Sequence, residues 1–198
     1  MIALEHVVLA SASPRRLELL RSLRLEVTVA PSAYVERELP DISAKDLAIA
    51  HARGKALEAR TGAPASSFII ASDTVVDVDG QAYGKPIDRD GAAQMLRTLS
   101  GRTHLVHTAF ALVIPRRDGL VEECSTSAVT FYALDEDEIA RYVASGEPMD
   151  KAGAYGIQGY GATLVERIDG DFYTVMGFPL ARFARGVKRL GFSLPIEK

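Results

Sequence analysis

Two arginines stand side by side in the stretch Leu9–Leu20, LASASPRRLELL, at what reads as the mouth of a helix. Ser13 can cap that helix, and Pro14 suits its first turn. The helix macrodipole disfavours cations at this end and favours anions, so paired guanidiniums there call for a negative partner. Backbone N–H groups at a helix start bind anions. Ser11 and Ser13 add hydroxyl donors, and Arg15 and Arg16 add planar forks that match phosphate oxygens. The segment lacks the glycine pattern and lysine of a P-loop, and taken alone it is equally a capped surface helix with two solvated arginines.

A second polar group interrupts an apolar run in IIASDTVV, where Asp73 is expected at the end of a strand with Thr74 beside it. A carboxylate there can hold a metal ion, orient water, or simply start a turn. Glu36, in the loop AYVERE, offers a second carboxylate to the same metal, although alone it reads as a surface charge. Lys55 in HARGKA and Lys85 in YGKP each read alone as solvated lysines, but Lys85 sits in a rigid setting between Gly84 and Pro86. With Arg15 and Arg16 they make four cations available to a few carboxylates. That set suits a triphosphate and a metal, because Mg²⁺ binds one or two carboxylates plus phosphate oxygens and keeps several waters. Farther on, DKAGAYGIQGYGA carries Gln158 among closely spaced glycines. Glycine lets backbone approach a ligand, and the Gln158 amide can read a base edge through its donor and acceptor. The stretch is otherwise a long loop. His104 and His107, three apart on an expected strand, point to opposite faces and cannot share a metal. His6 and His51 are likewise expected to be structural, and Cys124 a half-buried thiol.

These groups must be positioned by alternating elements. HVVLA and LEVTVA read as strands on either side of the first helix, and Leu47–Arg60 continues at helical spacing until Gly62 and Pro64 stop it. SFIIASDTVVDVDGQAY reads as a strand, a polar interruption and a hairpin turning at Asp79-Gly80. Asp90–Leu99 and Asp135–Ala144 read as helices. Two long strands, joined by PRRDG, lie between them. TLVERIDGDFYTVMG reads as a final strand pair and Pro179–Leu190 as a closing helix. The pattern is a mixed α/β domain rather than a pure parallel array.

The chain has 198 residues, 47% of them apolar, and a formal net charge of −3. That balance argues against a dedicated nucleic-acid binder while leaving room for a local basic pocket. A single cysteine cannot form an internal disulfide, which fits a reducing cytosol. MIALEHVVLA is too short and acidic for a signal peptide, no apolar run reaches membrane-spanning length, and no repeat is visible. A cytoplasmic protein without membrane or nucleic-acid partners is expected.

Six stretches, LASASPRRLELL, SDTVV, GKP, MLRTLSGRTHLVHTAFAL, YVASGEPMDKAGAYGIQGYGA and VMGFPL, together resemble the Maf family of nucleoside triphosphate pyrophosphatases. They occur in family order across nearly the whole chain. The resemblance implies one domain over residues 1–198, with an elongated mixed α/β sheet, flanking helices and two lobes around a cleft, as in inosine-triphosphate pyrophosphatases. It implies cleavage of a nucleoside triphosphate to monophosphate and pyrophosphate with a divalent metal, Mg²⁺ or Mn²⁺, and a homodimer. By position, the family's catalytic aspartate falls on Asp73 and its substrate-selecting residues on Arg15, Thr74 and Gln158. Ser11, Arg16, Glu36, Lys55 and Lys85 occupy its other cleft positions. In that reading Glu36 and Asp73 hold the metal, Asp73 also accepts a proton from the attacking water, and the lysines offset charge on the leaving group. DKAGAYGIQG resembles the branch acting on dTTP and UTP, consistent with housecleaning of nucleotide pools. Where members often carry an Asp-Glu pair, this chain has Val35-Glu36. The competing expectations are a non-catalytic nucleotide-binding regulator of septum formation, or a pyrophosphatase preferring 7-methyl-GTP or inosine triphosphate.

Overall fold

The computed structural model describes residues 2–37, 39, 41–115 and 120–195. The elements run β1 (Ile2–Ala3), β2 (His6–Leu9), α1 (Pro14–Ser22), β3 (Glu26–Val29), α2 (Ala44–Gly62), β4 (Ile69–Val78), β5 (Gln81–Tyr83), α3 (Arg89–Leu99), β6 (Thr103–Val113), β7 (Leu120–Phe131) and α4 (Glu136–Ala144). Three 3-10 turns follow, at Glu147–Asp150, Ala152–Ala154 and Gly159–Leu164, then β8 (Val165–Asp169), α5 (Phe172–Met176), α6 (Leu180–Arg189) and β9 (Phe192–Ser193). Seven strands form one sheet in the order β3-β2-β4-β6-β7-β8, with β5 added to β4, while β1 and β9 make a separate parallel pair. Pairing is parallel among β3, β2 and β4 and antiparallel from β4 through β8. The fold is therefore the expected mixed α/β sheet with flanking helices.

Local chemistry sets most element boundaries. Ser13 caps α1 by accepting from the Arg16 N–H, with Pro14 as its first residue. Ser43 does the same for α2 through the Asp46 N–H, and Asp135 with Glu138 forms a capping box on α4. Asp79 and Gly80, with φ of 53° and 86°, turn β4 into β5 as an Asp-Gly hairpin requires. The connection expected at PRRDG falls largely on 116–119, outside the described residues.

Helix α2 lies close on one face of the sheet because its contact stripe is alanine. Ala44, Ala48, Ala52 and Ala56 recur every fourth residue and pack on Ala71, Ala109 and Ala111, all buried. On the opposite face are two larger clusters. Leu20, Ile70, Phe110, Phe178 and Phe183 belong to one, and Val76, Leu96, Val106, Phe131, Tyr142 and Tyr155 to the other. Between them, on the same face of β4 and β6, lie the polar residues Ser72, Thr74 and Thr108. Two lobes thus meet at a polar belt.

Two expectations are corrected. Asp73 does not end a strand: β4 runs through it unbroken, because antiparallel pairing with β6 continues across Asp73↔Ala109 and Thr74↔Thr108. The polar side chains that looked like an interruption are met by distant partners, Ser72 by the Gly177 carbonyl and Thr74 by the Thr108 hydroxyl. Nor does TLVERIDGDFYTVMG form a strand pair, since β8 is followed by helix α5. Phe172–Val175 has strand-like composition, but the Asp171 carboxylate accepts from the Tyr173 and Thr174 N–H groups and starts a helical turn there.

Candidate active site

The edge of β4 is left open at its middle. β2 pairs with β4 at Ile69 and Ile70, and β5 pairs at Val76 to Val78. Between them, among the described residues, no strand covers Ala71 to Val75 on that side. This is also where the chain reverses direction across the sheet, with β3 on one side of β2 and β4 on the other. Crevices at such switch points, beyond the carboxyl ends of parallel strands, are the usual ligand sites of α/β sheets. A cleft of about 950 Å³ opens here, lined by the β2–α1 loop, α1, the loop before α2, α2, β4, the segment after β5, the 3-10 turns and α5.

Asp73 lies on the floor of this cleft and is 7% exposed. The alanine stripe holds α2 near enough for Lys55 Nζ to donate to Asp73 Oδ1 at 2.5 Å. The same ammonium lies 2.6 Å from Glu36 Oε1. Burial raises the Glu36 carboxyl pKa, but the hydrogen bond and charge of Lys55, with smaller contributions from His51 and Lys85, outweigh it and leave the pKa below the usual value. Lys85, exposed after β5, is thus electrostatically coupled to this pair and lines the same cleft.

Arg16 is built into the opposite wall. Its Nε donates to the Gly177 carbonyl at 3.1 Å, Nη2 to Thr74 Oγ1 at 3.3 Å and Nη1 to Ser11 Oγ at 3.3 Å. Thr74 Oγ1 also meets Thr108 Oγ1 at 3.0 Å, and Thr108 donates to the Thr174 carbonyl at 2.7 Å. Burial lowers the Arg16 pKa and Arg15 adds to the effect, opposed by Asp73 and Glu36. Arg15 points across the cleft, with Nη1 3.3 Å from Asp150 Oδ2. The cleft thus gathers Ser11, Arg15, Arg16, Glu36, Lys55, Asp73, Thr74 and Lys85. Gln158 is exposed and is not among the lining residues, although Ile157 beside it is.

Several contributors were not legible as such. Gly177, in VMGFPL, has φ of 115° and accepts from both Arg16 and Ser72 through its carbonyl. Asp150 and Lys151 line the cleft and pair with each other at 2.7 Å. Gly153 donates to the Gly84 carbonyl, tying the glycine-rich segment to the strap that carries Lys85. A Cβ on Gly153 would stand 2.8 Å from Val76 Cγ2, so this close approach needs glycine. His51, expected to be structural, lines the cleft and bonds Tyr34.

The described lining residues include six cations, Arg15, Arg16, Arg37, Lys55, Lys85 and Lys151, against three carboxylates, Glu36, Asp73 and Asp150. Such an excess calls for a polyanion. No cluster of three or more His, Cys, Asp or Glu groups suited to a metal occurs among the described residues. Glu36 and Asp73, however, converge on one ammonium, so a cation already has a place between them. Two carboxylates that leave room for substrate oxygens and water fit Mg²⁺ or Mn²⁺ better than a metal needing a full protein cage.

The Maf family, described as Maf-like protein, matches residues 6–190. A dTTP/UTP pyrophosphatase of Thermus thermophilus is 49% identical over 187 residues, covering 92% of this chain and 96% of that protein. Proteins of the same name are 45% identical over 184 residues in Bacillus velezensis (93% and 96% covered) and 44% identical over 195 residues in Methylobacillus flagellatus (98% and 97% covered). A solved structure of a nucleoside-triphosphatase / dITP/XTP pyrophosphatase from Mycobacterium abscessus aligns at 18% identity with a TM-score of 0.46, over 93% of this chain and 98% of that one. With the match spanning almost the whole chain and relatives this similar at full length, the chain belongs to the Maf family.

Proposed function

We propose that this chain is a nucleoside triphosphate pyrophosphatase that cleaves dTTP and UTP to the monophosphate and pyrophosphate, clearing them from the cytoplasmic pool as a single domain. The observation that carries this reading is a nearly buried carboxylate, Asp73, on the floor of a cleft whose described walls hold twice as many cations as carboxylates. The names of the relatives support the substrate class.

Arg15 and Arg16 hold the phosphate chain at the N-terminus of α1, the end where the helix dipole favours anions. Asp73 takes a proton from a water whose oxygen bonds to the α-phosphorus as the bond from that phosphorus to the pyrophosphate oxygen breaks. Lys55 and Lys85 offset the charge that grows on the departing pyrophosphate. A divalent cation held by Glu36 and Asp73 would supply charge stabilisation on the phosphate oxygens. Thr74 and Arg15 help fix the nucleotide's register. Gln158 lies outside the lining but next to Ile157, which lines the cleft, and from that rim its amide would answer the adjacent acceptor and donor of uracil and thymine, an edge that cytosine reverses.

The test is pyrophosphate release with Mg²⁺ from dTTP, UTP, CTP, GTP, ITP and 7-methyl-GTP. The expected result is the highest kcat/KM for dTTP and UTP, with Gln158→Ala narrowing the gap between UTP and CTP by losing UTP activity. Nucleotide binding without pyrophosphate release would instead make the chain a non-catalytic regulator. A preference for 7-methyl-GTP or ITP would overturn the base assignment.

A further inference from the structure

Glycine in the middle of a helix costs about 1 kcal/mol relative to alanine, yet Gly54 stands in the interior of α2, one residue before Lys55. Its backbone is helical, so the position does not use glycine's freedom of φ. It uses the missing side chain. A Cβ built on Gly54 would fall 2.2 Å from Tyr34 Cε2, 2.4 Å from Cζ and 2.8 Å from Cδ2. The Tyr34 ring therefore occupies the space that any other residue at position 54 would fill.

Tyr34 is held there from two further directions. Its hydroxyl lies 3.3 Å from His51 Nδ1, and the two rings meet edge to face at 5.8 Å. Just upstream, the Ser32 hydroxyl and the Ala33 N–H both donate to Glu58 Oε2, at 2.5 and 2.9 Å. Just downstream, Glu36 reaches Lys55. His51, Gly54, Lys55 and Glu58 are spaced i, i+3, i+4 and i+7, one stripe of α2. The loop from Ser32 to Glu36 lies along that stripe, with the Tyr34 ring in the notch at its centre.

We infer that Gly54 is a positioning residue for Glu36: having no side chain, it seats Tyr34 against α2, and the seated ring sets where Glu36 meets Lys55 beside Asp73. This rests on the reading of Glu36 as a group that faces the cation and the triphosphate. It adds that the second carboxylate of the site owes its place to a notch in a neighbouring helix, because Glu36 sits in a loop and is itself exposed. Gly54→Ala pushes the ring out of the notch and shifts the loop, while the helix itself gains from alanine.

The test is a double-mutant cycle with two readouts, kcat/KM for dTTP and the affinity for Mn²⁺ alone, followed by the electron paramagnetic resonance signal of free Mn²⁺. Gly54→Ala is expected to keep or raise the melting temperature, lower kcat/KM by about tenfold or more, as displacements of about 1 Å in catalytic sites do, and weaken Mn²⁺ binding. In a Tyr34→Ala background the same substitution should change kcat/KM by less than about twofold, because couplings vanish when the contact is gone. Equal losses in both backgrounds, an unchanged kcat/KM in Gly54→Ala, or a lowered kcat/KM with unchanged Mn²⁺ affinity overturns the inference. Glu36→Gln separates the two levels: if it alters neither readout, the reading of Glu36 itself fails, whereas a costly Glu36→Gln beside a silent Gly54→Ala removes only the role of Gly54.

Discussion

His104 makes the fold sensitive to mild acid. It lies on β6 with 3% of its surface exposed, in the cluster that walls one side of the cleft. Nε2 is 2.7 Å from the Tyr155 hydroxyl, and the ring meets Phe131 and Tyr155 edge to face. Nδ1 is buried and has no partner among the described residues. Burial pushes the imidazole pKa from the ordinary 6.5 down to about 4. A second N–H on the charged ring would face no acceptor, which works in the same direction. The unfolded chain takes up this proton near pH 6.5, while the folded chain resists until about pH 4. Stability is therefore fully present above pH 6.5 and falls as the pH drops toward 4.

At about 1.4 kcal/mol per pH unit, the interval from 6.5 to about 4 amounts to about 3 kcal/mol, of which about 2 kcal/mol is lost by pH 5. Carboxylates with lowered pKa, such as Glu36 and Asp150, keep their contribution above the unfolded carboxylate values and lose it only below them, so pH 5 isolates the histidines. Urea unfolding at pH 7.5 and 5.0 should show the parent losing about 2 kcal/mol more than His104→Gln, which keeps a polar tip for Tyr155 but does not titrate. Parallel losses in the two proteins would refute the reasoning. Tyr155 lines the cleft, but the folded chain keeps His104 neutral down to about pH 4, so the loss at pH 5 belongs to the unfolded chain and should appear in stability rather than through a change of His104 in the folded cleft.

The remaining predictions concern the cleft. Asp73→Asn should fold, because Lys55 keeps Glu36 as a partner, but should lose at least about 100-fold in turnover, the usual scale for a general base. Pyrophosphate release near the parent rate would remove Asp73 from that role. Arg15→Ala and Lys85→Ala should raise KM for dTTP while leaving the melting temperature nearly unchanged, since the Arg15–Asp150 pair is partly exposed and such pairs contribute about 0–1 kcal/mol. Arg15→Lys and Lys85→Arg should also bind poorly, because a planar fork and a point charge are not equivalent. Nucleotide titration and thermal melts on all four variants decide this.

What the sequence makes legible is what short-range chemistry determines. Ser13 and Pro14 start a helix, Asp79-Gly80 turns a hairpin, and the alternation of elements implies a mixed sheet, all from neighbours within a few positions. Asp73 was harder because a carboxylate inside an apolar strand is unfavourable unless something distant meets it. Here Lys55 meets it, 18 residues away. The polar belt has the same origin: Arg16 donates to a carbonyl 161 positions along the chain, and Ser72 to the same carbonyl from 105 away. A local pattern can show that such residues are present, not that they converge. Phe172–Val175 shows the converse error, in which strand-like side chains yield to a cap. Its N-cap residue, Asp171, is itself held by Ser127 44 residues away, which accepts from the Asp171 N–H and donates to its carbonyl.

The loop before α2 carries this distinction furthest. AYVERE and HARGKA are unremarkable apart, a charged loop and a helical turn. Only the close packing of α2 on small sheet residues brings Lys55 to Asp73, and only the empty position at Gly54 admits Tyr34. Glu36 then arrives two residues later, at a distance that its own sequence context does not specify. Charge composition identifies a site for a polyanion, but the relative placement of its two carboxylates depends on residues that carry no charge. Substitutions at alanines of the α2 stripe should therefore disturb the Lys55–Asp73 contact as effectively as changes to the ionised groups. Ala52→Val would add bulk under the turn that carries Lys55, and the expected result is lowered kcat/KM for dTTP together with lowered stability, the second loss separating it from Gly54→Ala.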